Sequence, residues 1–322
     1  MKKRKLGNSG LELAPLALGG NVFGWTIDEP ASFQVLDAFA AAGFNFVDTA
    51  DMYSTWKPGN KGGESETILG NWMKKSGNRR KVLIATKVGM DMGAGMKGLS
   101  KDYILRAAEA SLRRLQTDYI DLYQAHTDDA TVPLQETLEA FGQLVKQGKV
   151  RATGVSNYTA PRLSEALEVS RKHGLPRYES LQPLYNLYGR ADYEATLELV
   201  CRENGIGVIP YYSLASGFLT GKYRSEADLA KSPRGEGVKK YLNARGFRIL
   251  EALDQTATKY NSTPAQVSLA WLLTKPTVTA PIASATNVIQ LQELLEATNL
   301  QLDRESIELL DRASAIQAGA PH

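Results

Sequence analysis

The sequence predicts an α/β protein: a (β/α)8 TIM barrel with an N-terminal β-hairpin and an extra C-terminal helix. Two observations carry this. Eight short apolar runs alternate with helix-like stretches along most of the 322 residues. Repeated βα units build a parallel sheet covered by helices, and eight of them close into a barrel of about 250 residues. In addition, Asp48, Lys87 and His126 stand at the ends of three successive runs, with Tyr53 five positions past the first. Strand carboxyl ends of a parallel barrel share one face, so residues far apart in sequence meet there. No Pro/Gly/Ser-rich linker divides the chain, so residues 1–322 are read as one domain. An open doubly wound sheet is the structural alternative.

Taken in order, Lys5–Leu13 reads as a hairpin turning at Asn8-Ser9-Gly10. Leu16–Gly19 is a buried strand. Glu29–Ala42 has helical spacing, with Phe33, Leu36 and Phe39 apolar, and Gly43 stops it. Strand Phe44–Val47 follows. Helix and strand pairs then run Glu64–Lys75 and Val82–Thr86, Lys101–Leu115 and Tyr119–Gln124, Pro133–Gln147 and Val150–Val155, Pro161–Lys172 and Ser180–Pro183, Tyr193–Glu203 and Gly205–Pro210. A polar insertion, Arg224–Lys239, precedes helices Ala244–Tyr260 and Pro264–Thr274, the latter with proline in its first turn. Thr277–Ile282 is the last strand, and Val288–Thr298 and Arg304–Ile316 are the closing helices.

Composition narrows the function. The 38 basic and 35 acidic residues leave a net charge of +3, too little for a broad field that steers polyanions. The run Lys2-Lys3-Arg4-Lys5 reads as a solvated strand edge rather than a nucleic-acid arm. The single cysteine, Cys201, cannot form an internal disulfide, which fits a reducing setting. No apolar run approaches the roughly 20 residues of a membrane span, and the N-terminus lacks an apolar signal core. A cytoplasmic location without membrane contact is expected. The run Gly93–Gly98 matches G-x-G-x-x-G, but it starts six residues past Lys87, in mid-loop. A dinucleotide fingerprint must follow its strand at once and open a helix, so this run reads as a surface loop.

The four converging residues suggest proton transfer to a carbonyl. A free phenol is a weak acid at neutral pH. An ammonium such as Lys87 favours the phenolate of Tyr53, Asp48 orients that ammonium, and His126 hydrogen bonds the substrate oxygen. A carbonyl that gains a proton also needs a hydride, which no side chain supplies, so a nicotinamide cofactor is required. The reading calls for no metal. Each residue taken singly is more often a structural ion pair or a satisfied core group.

The motifs also resemble a known family. Asp48-Thr49-Ala50-Asp51-Met52-Tyr53 followed by Gly63-Glu64-Ser65-Glu66 is similar to the aldo-keto reductase signature. Ala85-Thr86-Lys87, Asp121–His126, Gly148–Tyr158 and Leu214–Tyr223 resemble four further stretches of that family, and the likeness spans Leu6 to Ala313. It is strongest to the bacterial branch related to potassium-channel β subunits. The resemblance implies a barrel that reduces aldehydes or ketones with NADPH, or with NADH or both as the alternative. It implies Tyr53 as proton donor, Lys87 and Asp48 as its tuning pair and His126 as the group orienting the carbonyl. The cofactor is expected across the carboxyl face. Ser156, Asn157 and Gln182 are expected at its carboxamide, with Tyr211 stacked on the nicotinamide ring, and Gly20 and Asn21 are expected among the cofactor-binding residues. Ser213, Leu214, Ser216, Gly217, Leu219, Gly221 and Lys222 are expected around its pyrophosphate. Ser284, Thr286, Gln290 and Glu293 are expected around its adenosine, with Arg234 on a 2′-phosphate.

Two departures matter. Tyr211-Tyr212-Ser213-Leu214 lacks the proline usual in that loop, and Ala283–Glu293 holds no Arg or Lys. Phe23, Trp25 and Trp56 follow strands and are expected to line a pocket for a small carbonyl or alcohol substrate. Two other functions compete: a cofactor-binding regulatory module like the channel subunits, and a cofactor-free barrel isomerase. No coiled-coil heptads indicate an oligomeric state.

Overall fold

The computed structural model describes residues 1–93 and 95–316. Residue 94, within the glycine-rich run, and residues 317–322, the end of the expected domain, lie outside the described residues. The chain opens with an antiparallel pair, β1 (Arg4–Lys5) and β2 (Glu12–Leu13). Ser9 Oγ in the turn donates to Leu6 O at 2.6 Å. Eight strands follow: β3 (Ala17–Gly19), β4 (Phe46–Asp48), β5 (Leu83–Val88), β6 (Ile120–Ala125), β7 (Val150–Ser156), β8 (Tyr178–Gln182), β9 (Gly207–Val208) and β10 (Ile282–Ala283). They are all parallel, in the order β10-β3-β4-β5-β6-β7-β8-β9. The remaining seam is bridged ahead of β10. Val208 N donates to Thr277 O at 3.0 Å, Thr279 N to Val208 O at 2.7 Å and Ile282 N to Pro210 O at 2.9 Å.

The helices that cover the barrel are α1 (Glu29–Ala41), α2 (Glu64–Ser76), α3 (Lys101–Leu115), α4 (Leu134–Lys146), α5 (Ala160–His173), α6 (Glu198–Asn204), α7 (Ala244–Lys259), α8 (Pro264–Leu273), α9 (Val288–Glu296) and α10 (Arg304–Ser314). A π-helical turn, Tyr193–Leu197, leads into α6. The two helices beyond the eightfold repeat, α7 and α10, pack on each other. Side-chain caps start several helices: Asp28 accepts from Ala31 N, Thr159 from Arg162 N, and Thr263 and Gln266 form a reciprocal capping box. The Arg224–Lys239 insertion folds as 3-10 turns, Glu226–Lys231 and Gly235–Tyr241.

Two of the expected strands are reduced from six residues to two, each beside or near a proline. Thr277–Ile282 pairs regularly only at Ile282–Ala283, because Pro281 has no N–H to give the ladder. Its carbonyl still accepts from Ala17 N at 3.0 Å. Gly205–Pro210 is likewise reduced to Gly207–Val208 ahead of its proline. The expected strand Phe44–Val47 begins two residues later and extends to Asp48.

Strand alternation divides the core into two layers. Inside the ring, Phe46, Ala85, Leu122, Ala152 and Ile209 pack with Leu6, Leu11 and Leu13 of the hairpin. The hairpin therefore plugs the amino-terminal end of the barrel. Arg4 fastens it there, donating to Val278 O at 3.0 Å and Leu273 O at 3.1 Å. Outside the ring, a larger apolar cluster joins the strands to the helices. With one end plugged and the walls packed, the open end is the carboxyl mouth, where Asp48, Lys87 and His126 lie.

Candidate active site

Lys87, on β5, is fully buried and points into the ring. A buried ammonium needs acceptors for its three protons. It has three: Asp48 Oδ2, Thr49 O and Tyr53 Oη, each at 2.8 Å. Tyr53 Oη donates to the same Asp48 oxygen at 3.1 Å. The second Asp48 oxygen accepts from Gln182 Nε2, at the end of β8, at 2.9 Å. The pair is thus anchored from across the barrel. His126 follows β6, its backbone N–H donating to Val88 O at 2.8 Å. Its ring centroid stands 6.0 Å from that of Tyr53.

The electrostatics correct one expectation. Burial, followed by the Asp48 charge, holds the Tyr53 proton and lifts the phenol well above its ordinary pKa. The expected lowering by Lys87 is outweighed, and burial lowers the ammonium's own pKa despite Asp48. Tyr53 keeps part of its surface open to the cavity, although its hydroxyl is tightly surrounded. Such a phenol holds its proton at neutral pH, with the Lys87 ammonium 2.8 Å from its oxygen. Burial, then Lys87, lowers the His126 pKa well below the ordinary value, so the imidazole is neutral at pH 7.

Asp48, Tyr53 and His126 open onto a cavity of about 1200 Å³. That exceeds the roughly 300–1,000 Å³ of common small-ligand pockets and leaves room for an extended dinucleotide beside a substrate. Of the expected cofactor residues, Asn21, Ser156, Asn157, Gln182, Tyr211, Ser213, Leu214, Ser216, Gly217, Lys222, Arg234, Ser284, Thr286, Gln290 and Glu293 line it. Gly20, Leu219 and Gly221 do not. Leu219 is wholly buried, and Gly20 faces α2, its carbonyl accepting from Ser65 Oγ at 2.8 Å. Gly221 makes the positive-φ turn (78°) that ends the Ala215–Thr220 segment.

Trp25 and Trp56 line the cavity beside Tyr53, edge to face at 5.5 Å, with Trp56 5.9 Å from the Tyr53 ring. Phe23, expected beside them, is a correction: it is fully buried in the outer core, and its carbonyl accepts from Ser54 Oγ at 2.8 Å. Sequence reasoning missed Met52, Met90 and Lys231, which also line the cavity. Met90 had a usable signal, two positions past the end of β5. The glycines at 93, 95 and 98 do not line the cavity, and helix α3 starts only after Ser100.

Four non-glycine residues of the mouth have positive φ: Asn157 (58°), Tyr212 (53°), Ala215 (48°) and Ser216 (58°). Strained backbone of this kind persists where the surroundings fix it, and it gathers at functional sites. Asn157 is fixed on both sides, donating to His126 O at 2.9 Å and accepting from Tyr211 Oη at 2.7 Å. Close by, Lys222, Lys231 and Arg234 line the same cavity. One Arg234 nitrogen, Nη2, is buried without a partner among the described residues. Cations and a left-handed turn form a suitable cradle for phosphate oxygens.

The comparison with known proteins decides the family, since the Aldo/keto reductase family model matches residues 15–315. The chain belongs to the aldo/keto reductase family. It is 35% identical to a Bacillus subtilis protein named Uncharacterized oxidoreductase YrpG, over 97% of this chain and 95% of that one. It is 32% identical to the Bacillus subtilis Aldo-keto reductase YhdN, covering 95% and 91% of the two chains. It is also 32% identical to the Probable voltage-gated potassium channel subunit beta of Arabidopsis thaliana, covering 93% and 92%. This aldo/keto reductase is accordingly a carbonyl-type oxidoreductase of a family that binds nicotinamide cofactors. No helix among its described residues is long and apolar enough to cross a membrane.

Removing one partner of a buried ion pair strands the other charge. Asp48→Ala is expected to lower unfolding free energy by about 3–5 kcal/mol, read from urea denaturation. A change below about 1 kcal/mol would show that Lys87 finds other compensation.

Proposed function

We propose that the chain, as one barrel domain in the cytoplasm, reduces aldehyde or ketone carbonyls to alcohols with NADPH, or runs the reverse. Tyr53 is the proton donor. The observation that carries this is the Lys87 ammonium 2.8 Å from both Tyr53 Oη and Asp48 Oδ2, below an open cavity. When bound, the reduced nicotinamide supplies a hydride to the carbonyl carbon. The developing oxyanion takes the Tyr53 proton, and Lys87 stabilises the resulting phenolate. Neutral His126 orients the carbonyl oxygen by hydrogen bonding. Gln182 keeps Asp48 aimed at Lys87 throughout. Trp25, Trp56, Met52 and Met90 hold the body of the substrate.

Lys222 and the unpartnered Arg234 nitrogen, both on the cavity, favour a cofactor with a 2′-phosphate, while Lys231 is paired with Asp228. Arg234 also lies over the Trp25 ring at 5.2 Å, so the insertion is braced against the substrate wall. A second reading has one specific support: relatives named as potassium-channel subunits cover nearly the whole chain. In that reading the cofactor site serves partner regulation, and turnover on a broad carbonyl panel is absent.

Tyr53→Phe is expected to cut kcat for carbonyl reduction by about 10²–10⁴ while cofactor affinity stays within about twofold. NADPH oxidation at full rate by this variant would remove Tyr53 from the chemistry. Arg234→Ala is expected to weaken NADPH at least about tenfold more than NADH in fluorescence titrations, the scale of one charge-assisted contact. Equal weakening of both would contradict the phosphate assignment.

A further inference from the structure

The turn that carries Tyr53 is fastened to the strand that carries Lys87. Thr49 N donates to Ala85 O at 2.8 Å and Asp51 N to Lys87 O at 3.2 Å. Thr49 O in turn accepts from Lys87 Nζ at 2.8 Å. The same five residues therefore complete the ammonium's partners and set where Tyr53 stands.

Asp51 is the acid of this turn that does not reach the cavity. It is 2% exposed, and neither carboxyl oxygen has a hydrogen-bond partner among the described residues. The nearby Met52 N–H falls short of hydrogen-bond geometry. The ionisable groups that face Asp51 are Glu66 of α2, Arg114 and Tyr103 of α3, Lys87 of β5 and Tyr123 of β6. Neither cation pairs with it, and the Tyr123 hydroxyl is itself without a hydrogen-bond partner among the described residues. Arg114 Nε is held by Glu66 Oε2 at 2.6 Å, and the other Glu66 oxygen accepts from Thr86 Oγ1 at 2.6 Å. Lys87 has all three protons engaged elsewhere. Two buried acids thus face one arginine, which pairs with Glu66 and not with Asp51. An ionised Asp51 would be a buried charge without compensation. Burial first, then Glu66, pushes its carboxyl pKa up to about 8.

We propose that Asp51 is a positioning residue that works in its protonated form. Neutral Asp51 seats the Thr49–Tyr53 turn on the α2–α3 layer and keeps Tyr53 against Lys87, and its ionisation at alkaline pH disengages Tyr53. The proposal rests on the reading of Tyr53 as proton donor. Its sign follows from linkage. A carboxyl with a raised folded-state pKa stabilises the fold below its unfolded value near 4, and this contribution is lost as the pH rises to about 8. A permanently neutral side chain at this position keeps it.

The test compares wild type with Asp51→Asn, following kcat/KM for carbonyl reduction from about pH 6 to 10 and Tm from about pH 4 to 10. Wild-type kcat/KM should fall roughly tenfold per pH unit above about 8, as for one essential protonated group, and the variant should stay level for at least about one unit more. The Tm of the variant should exceed that of wild type by a margin that widens between about pH 4 and 8. Should the variant fail to fold, carbon-13 NMR of aspartate-labelled wild type should still show one carboxyl titrating above pH 7. Coincident pH profiles, or no aspartate titrating above pH 7, would overturn the proposal. Full turnover by Tyr53→Phe would instead defeat the proton-donor reading, while the Tm comparison still reported whether Asp51 keeps its proton.

Discussion

A fully buried ammonium with no spare proton holds this site together. Lys87 gives one proton to a carboxylate, one to a backbone carbonyl and one to a phenol, all at 2.8 Å. Taking a lysine out of water costs several kcal/mol, and only this complete set of acceptors offsets it. The acceptors come from β4 and the turn after it, while the carboxylate is steadied by Gln182, 134 residues further along the chain. The ion pair spans the neighbouring strands β4 and β5, and ring closure adds the Gln182 anchor to it.

The rest of the barrel can be understood as the surroundings this arrangement needs. The hairpin closes the amino-terminal end with leucines, so water reaches the interior only from the carboxyl mouth. That mouth is polar along one side, where Ser156, Asn157, Gln182 and Ser284 line the cavity, and aromatic around Trp25 and Trp56. In the proposed function, the two surfaces divide recognition between a polar cofactor and an apolar substrate body. Positive-φ backbone gathers on the polar side, at Asn157, Tyr212, Ala215 and Ser216, and recurs at Ser54 just past Tyr53. The long insertion crosses to the aromatic side through Arg234 and Trp25.

Much of this was legible in the sequence because barrel topology turns position along a strand into position in space. A titratable residue at a strand's carboxyl end has one place to go, and Asp48, Lys87 and His126 went there. What escaped depended on contacts between distant elements or on side-chain direction within a turn. Gln182 was read only as a cofactor contact, since its bond to Asp48 spans the ring. Phe23 and Trp25 are two residues apart in one irregular loop, where no periodicity says which ring faces inward. The direction of the Tyr53 shift was misjudged because sequence names the neighbouring charge but not the depth of burial, and burial was the larger effect. Asp51 was hidden for a similar reason: its significance lies in a buried carboxyl that Arg114, paired with Glu66, does not reach.

The central claim is that an ammonium, rather than mere bulk, must sit between Asp48 and Tyr53. Chemical rescue tests it most directly. Lys87→Ala should reduce kcat for carbonyl reduction by at least about 10², and added methylammonium should restore part of it, with larger amines restoring less. A Lys87→Met enzyme working at the wild-type rate, or an alanine variant indifferent to every amine, would contradict the account.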